Sequence, residues 1–270
     1  MANRNERIVV YASTRNQYDK METAAKSLLL NTVVDHIYFL TEDEEYPNYL
    51  PQCIKTINVK PIVQDYFYEK GPNYETDWSY MTLLRLAIYD LLPQHDFVLY
   101  LDTDTLVVDD ILELFSTNIT DYYYAAAFDA SVCTSLMFSL KEEGNVPFRM
   151  LRRVPYTFCD YYNAGVMLCN LKKLRDGKGK EMIRMINTEP LVFNDQDAIN
   201  IACRNKILTL SSVYNSAPMT IPVKDPKIIH LSKTMNEHNK SIWKCYENMS
   251  WKWIERQIAI NKKKEEEARE

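Results

Sequence analysis

The run "ERIVVYAST … METAAKSLLLN … VVDHIYFLT", residues 6 to 41, constrains the fold more than any other feature of this chain. Ile8 to Tyr11 are apolar without polar alternation, the pattern of a strand buried on both faces. Small polar residues follow where the chain turns through "STRNQYDK". A run of helix-forming residues then ends at Asn31 and leads into a second apolar strand. Strand, helix and strand in this order make a βαβ unit, which places the strands in a parallel sheet covered by helices.

The rest of the chain extends that frame. "CIKTINVK" predicts a third, shorter strand, and "TDWSYMTLLRLAIYDLLPQH" a helix that Pro93 and its neighbours end. At about 100° per residue Met81, Leu84, Ile88, Leu91 and Leu92 share one arc with Arg85 at its edge. A guanidinium so close to the core needs a carboxylate or a ligand, because burying its charge alone is too costly. "DFVLYLD", "DYYYAAAFDA" and "GVMLCNL" read as further strands, "KGKEMIRMIN" and "DQDAINIACRN" as helices, and short strands are expected around 207–214 and 227–231. With no internal repeat and no low-complexity linker, one mixed α/β domain is expected over residues 1–250. Residues 251–270 then form a charged helical tail, read as a frayed solvated helix in preference to a peripheral membrane anchor.

A formal net charge of −5 with interspersed signs excludes a protein built around a nucleic-acid backbone. The six cysteines, scattered and without a C-x-x-C pair or a preceding leader, read as reduced thiols of a cytoplasmic protein. No segment is long and apolar enough for a transmembrane span.

The chemistry centres on "VLYLDTDTLVVDD". Asp102 and Asp104 follow an apolar strand directly, and residues i and i+2 of extended chain point to one side, so their carboxylates can converge. Like charges so placed repel unless a cation lies between them. The alternative is that one aspartate caps a helix starting near Asp109 and the other is solvated. Ligands of open α/β sheets collect at the carboxyl ends of strands, which favours the cation. His230, at the end of the short apolar strand in "KDPKIIHLSK", is either a hydrogen-bonded structural histidine or a third ligand. Two carboxylates and an imidazole suit Mn²⁺ or Mg²⁺ better than a zinc cage.

"YLDTDTLV", "YYNAGVMLCNL", "FNDQDAI" and "IIHLSK", in this order and at these spacings, resemble the retaining glycosyltransferases of family 8, and the similarity runs from about residue 7 to 245. The resemblance implies a GT-A fold, a central mixed sheet flanked by helices, a UDP-sugar donor and Mn²⁺. It implies that Ala12, Thr14 and Tyr18 hold the uracil and ribose, and that Arg85 is directed at the donor unless it serves a packing and salt-bridge role. It makes Asp102, Asp104 and His230 the metal ligands, with Thr103 contributing backbone to the nucleotide. Asp129 matches a carboxylate of the sugar pocket and is otherwise a turn residue. Asn163, Ala164 and Gly165 match the donor-sugar segment. Asp195 and Gln196 match the residues nearest the anomeric carbon, and Asp197 reads as a helix cap.

Because an amide stands where a nucleophilic carboxylate would be expected, same-face attack is the favoured retaining mechanism, with Asp195 as the alternative nucleophile. One departure from the family pattern is the segment "HLSKTMNEHNKSIW", which lacks the glycine and Lys-Pro-Trp that grip the diphosphate. Lys240 is its best phosphate lysine and Lys233 the rival. The expected function is transfer of a hexose, glucose or galactose, from a UDP-hexose to a glycan, lipid-linked or protein acceptor. The alternatives are a sugar-nucleotide-binding protein with weakened catalysis and a nucleotidyltransferase. Against the latter, "YASTRNQYDK" has no glycine for a phosphate loop.

Overall fold

Among the described residues seven strands form one sheet, and the strands buried on both faces take its inner places. In the computed structural model, which describes residues 6–43, 46, 49–76, 78–129, 161–217, 223–231 and 236–268, the N-terminal unit is β1 (Ile8–Ala12), α1 (Tyr18–Asn31) and β2 (His36–Thr41). Then come β3 (Ile54–Asn58), β4 (Phe97–Leu101), β5 (Thr105–Val107), β6 (Tyr124–Phe128) and β7 (Tyr162–Asn170). Helices α2 (Lys178–Thr188) and α3 (Asn194–Ala202), strands β8 (Ile207–Thr209) and β9 (Ile228–His230), and helices α4 (Glu237–Glu247) and α5 (Trp251–Glu267) complete the long elements.

The large sheet runs β3-β2-β1-β4-β7-β6-β8, and β5 pairs with β9 in a separate two-stranded ribbon. The pairs from β3 through β4 are parallel, β7 is antiparallel to both β4 and β6, and β6 is parallel to β8. Alternate residues of β1 enter different cores: Ile8 and Val10 pack with α2 and α3, whereas Val9 and Tyr11 pack with α1 and α5. That two-sided burial is why "IVVY" carries no polar alternation.

Two elements differ from the expectation. Residues 80–86 wind as a 3-10 helix, with Ile88–Leu91 as a short α-turn after it, in place of one long α-helix. Ser79 caps its start by accepting from the Met81 amide, and the side chains of Thr82 and Arg85 bond back to carbonyls of the same segment (2.9 Å each). The C-terminal helix is docked, not free in solvent. Trp251 and Ile254 are buried, Trp251 Nε1 donates to Glu22 Oε2 (2.8 Å), and Arg7 pairs with Glu265 near the far end.

Cys169 and Cys203 are buried free thiols, Cys53 is half-buried and Cys245 exposed; Cys133 and Cys159 lie outside the described residues. No helix among the described residues is long and apolar enough to cross a membrane.

Candidate functional site

A cleft of about 840 Å³ opens at the carboxyl ends of β1 and β4. It is lined by Ala12, Thr14, Arg85, Asp102, Thr103, Asp104, Asp129, Asn163, Ala164, Gly165, Asp195, Gln196, His230 and Lys240. Every residue assigned from the sequence to the donor or metal site is therefore on one surface except Tyr18 and Lys233. Tyr18 Oη accepts from the Glu42 amide (2.8 Å) and its ring lies 5.0 Å from that of Tyr46, so Gln17 takes the place at the cleft wall. Lys233 lies outside the described residues. Lys20, Trp78 and Phe193 also line the cleft. Nothing in residue type or spacing distinguishes them from ordinary surface and core residues.

Pairing of the short ribbon assembles the acidic floor. Thr105 stands opposite His230 in β5–β9, and the Leu231 amide donates to the Asp104 carbonyl (2.9 Å). Asp102 leaves β4 with its amide bonded to the Gly165 carbonyl (2.8 Å). The two aspartates do not lie in extended chain. A turn closed by the Thr105 amide on the Asp102 carbonyl (3.2 Å) and by Thr105 Oγ1 (2.7 Å) makes them converge. Neither caps a helix: the next helical turn, a 3-10 segment, begins only at Leu112, whose amide donates to Asp110 Oδ1 at 3.0 Å.

Asp102, Asp104 and His230 each offer a ligand atom, all within 4.8 Å of one another. Asp102 Oδ1 is taken by Arg85 (2.9 Å) and Tyr100 Oη (3.0 Å), which turns Oδ2 toward His230 Nε2 at 3.9 Å. Asp104 Oδ1 is 3.2 Å from the same nitrogen. A Cβ placed on Gly165 would meet His230 Cε1 at 2.3 Å and Asp102 Oδ2 at 2.8 Å, so only glycine leaves room for this cluster. Two hard carboxylates and one imidazole converging on one side of the cleft fit a divalent cation such as Mn²⁺ or Mg²⁺.

The electrostatics agree with a site built for positive charge. Burial disfavours the His230 imidazolium, yet the Asp104 and Asp102 carboxylates outweigh it and hold the pKa up to about 9. Burial likewise raises Asp104, and the His230 charge overcomes that to leave it below the usual carboxylate range. Burial pushes Asp195 up to about 6, with Arg85 opposing and the Asp102 charge adding to the rise.

Arg85 is buried among its partners: Asp102, Asp195 (Nε to Oδ2, 3.0 Å), the carbonyls of Thr82 and Ala164, and the Tyr100 ring, 4.5 Å from Cζ to its centroid. It organises two carboxylates as well as facing the cleft. Asp195 itself is not legible as its partner, because 110 residues of chain separate them. Asp129 Oδ2 accepts from Asn163 Nδ2 (3.0 Å) and Gln196 Nε2 (3.2 Å), and the Ala164 amide donates to Gln196 Oε1 (3.0 Å). Asp197 accepts from the Val192 and Phe193 amides (2.9 and 3.1 Å) and from Tyr161 Oη, so it ties down the start of α3. Asn194, just before Asp195, has a φ of 39°, in the left-handed region that asparagine tolerates better than most residues.

This constellation at the carboxyl edge of a mixed sheet defines a GT-A transferase fold. The sequence profile described as Glycosyl transferase family 8 matches residues 8–249, and the chain belongs to that family. Glycosyltransferase GlyE of Streptococcus pneumoniae is 27% identical over 78% of this chain and 48% of its own length. Lipopolysaccharide 1,2-glucosyltransferase of Escherichia coli is 27% identical over 52% of this chain and 39% of its own. The chain spans less than half the length of these curated relatives. The solved galactosyltransferase LgtC, crystallised with donor and acceptor sugar analogues, superposes with a TM-score of 0.69 at 22% identity, covering 89% of this chain and 95% of that one. At that identity the match speaks for the fold.

Proposed function

We propose that this protein transfers a hexose, glucose or galactose, from a UDP-sugar to an acceptor with retention of anomeric configuration. The observation that carries the reading is the convergence of Asp102, Asp104 and His230 with Asp195, Gln196 and Asn163 on one cleft. A glucosyltransferase and a galactosyltransferase among the similar proteins make these two sugars the first donors to test.

Asp102, Asp104 and His230 would hold Mn²⁺ or Mg²⁺, which when bound supplies Lewis-acid charge for the departing diphosphate, worth several kcal/mol. The chain's own residues do the rest. Ala12 and Thr14 line the nucleoside end, with Gln17 at the wall in place of Tyr18. Thr103 presents backbone to the nucleotide. Asn163, Ala164, Gly165 and Asp129 offer a fixed set of donors and acceptors to the sugar hydroxyls. Gln196, its amide held by the Ala164 amide and Asp129, keeps one face of the anomeric centre dry and oriented. Asp195 is engaged by Arg85, which lowers its nucleophilicity. That supports same-face attack, with a phosphate oxygen of the leaving group accepting the acceptor's proton.

A panel of UDP-sugars with Mn²⁺, read by UDP release, tests this directly, with chelator and Asp104→Ala as controls. UDP-glucose or UDP-galactose should turn over and both controls should abolish it. Absence of binding and turnover with every UDP-sugar would falsify the proposal. A second reading, sugar-nucleotide binding with weakened catalysis, is favoured by the state of Lys240: half-exposed and paired with Glu237 on its own helix at 2.7 Å. Binding without turnover would select it.

A further inference from the structure

His230 reaches the acidic cluster with one ring nitrogen, and the other is not idle. Its Nδ1 lies 2.9 Å from Oδ1 of Asn215, a buried residue that neither spacing nor motif marks as functional. The backbone puts the two side by side: Ser216 bridges to Ile229, and the His230 amide donates to the Ser216 carbonyl (2.9 Å).

The polarity of this contact follows from a backbone donor two links away. The Gly165 amide can only donate, and it donates to the Asn163 side chain at 2.9 Å, so that atom is Oδ1. The same Asn163 Oδ1 faces Asn215 at 2.8 Å, and the atom facing an acceptor there must be Nδ2. The remaining Asn215 atom is then Oδ1, an acceptor, and His230 Nδ1 must carry the hydrogen. A second backbone donor fixes the neighbouring amide in the same way: the Ala164 amide on Gln196 Oε1 leaves Gln196 Nε2 for Asp129. Asn163 Nδ2 completes the chain with Asp129 Oδ2 and Gln196 Oε1 (3.2 Å).

We infer that Asn215 is a positioning residue: it holds a hydrogen on His230 Nδ1, leaves Nε2 as the ring nitrogen facing the cation site, and couples that ring through Asn163 to Gln196 at the sugar end of the cleft. The inference rests on the metal-site reading above and adds a residue that the reading does not contain. A histidine ligand whose second nitrogen is held by a fixed acceptor binds more tightly, and loss of such a partner costs ~10–100-fold in metal affinity.

The test uses the full chain, Mn²⁺ alone as probe in a calorimetric titration, and two substitutions. Asn215→Leu removes both bonds while keeping the number and branching of the side-chain heavy atoms, and should weaken Mn²⁺ ~10–100-fold. Asn215→Asp keeps an acceptor for His230 Nδ1–H but loses the donor to Asn163. It should bind Mn²⁺ close to wild type while its KM for the UDP-sugar rises. Long-range nitrogen–proton spectra of the wild type loaded with diamagnetic Mg²⁺ read the tautomer without any substitution, and should show a protonated Nδ1. Wild-type affinity in Asn215→Leu, loss of Mn²⁺ in a folded Asn215→Asp, or a protonated Nε2 in the loaded wild type would each overturn the assignment. Wild-type protein that takes up no Mn²⁺ would remove the metal-site reading itself, and the assignment with it. That outcome is distinct from wild-type binding that survives in Asn215→Leu.

Discussion

At the scale of single residues, the site is governed by close approach and by the pairing of buried charge. Gly165 illustrates the first. Its missing Cβ is the space occupied by His230 and Asp102, so Gly165→Ala must push one of them aside. Overpacking of this kind costs ~1–3 kcal/mol. The expected outcome is a folded protein with a modestly lowered Tm whose Mn²⁺ affinity falls well beyond that of a surface control, measured by titration and calorimetry. Arg85 illustrates the second. It neutralises Asp102 and Asp195 inside the protein, and removing one partner of a buried pair costs ~3–5 kcal/mol. Arg85→Met should therefore lower denaturant stability by that order before any activity is considered, whereas Arg85→Lys, lacking the planar fork, should recover part of it. An unchanged midpoint in Arg85→Met would contradict the pairing described here.

At the scale of elements, two contacts carry testable weight. Helix α2 approaches the Tyr89 ring so closely that a Cβ on Gly179 would lie 2.0 Å from Cε1. Gly179→Ala gains helix propensity of about 0.8–1.0 kcal/mol, yet should be net destabilising, because rigid ring atoms cannot give way as a flexible side chain would. Thermal unfolding of the single variant decides which effect wins. Helix α5 buries Ile254 and Trp251 against α1, with Lys26 5.2 Å above the indole ring. Burying Ile254 alone contributes about 1.5–3 kcal/mol. Deleting residues 251–270 should therefore lower Tm by roughly 5 °C or more for a protein of this size. A chain truncated at 250 that melts with the full one would show that the helix only rests on the surface.

At the scale of the whole molecule, pH couples to stability through a group far from the cleft. His95 is held by Tyr38 Oη at Nε2 (2.9 Å) and faces Glu6 at Nδ1 (3.1 Å). Burial outweighs the mostly exposed Glu6 and, with His36 nearby, holds the His95 pKa below its ordinary value. With the folded pKa below the unfolded value of about 6.5, the unfolded chain binds more protons in the window beneath it. The His95 contribution to stability therefore falls as pH drops through about 6.5, opposite in sign to the contributions of His230 and Asp195, and neutral His95→Gln should remove that fall. Parallel melts of wild type and variant at pH 7 and pH 5 check it; an equal drop in both would exclude His95 as the cause.

Read alone, the order of residues decides the sheet and most of the site. "IVVY" and "VLYL" are apolar on both faces because both faces are covered, and that pattern needs no knowledge of neighbours. Asp102, Asp104 and His230 are visible because each lies at a strand end, where ligands gather. What the chain's order cannot express is contact between distant segments. The rotation of Tyr18 away from the cleft and the sharing of Arg85 between Asp102 and Asp195 are set by partners remote in sequence, whereas the 3-10 winding of residues 80–86 and the turn that converges the aspartates are closed by short-range hydrogen bonds that the residue pattern does not announce. Asn215 is the clearest case. An asparagine in a polar loop is unremarked until the β5–β9 ribbon and the Ser216 bridge lay it against His230, and the direction of its hydrogen bonds is then dictated, through Asn163, by the Gly165 amide of β7.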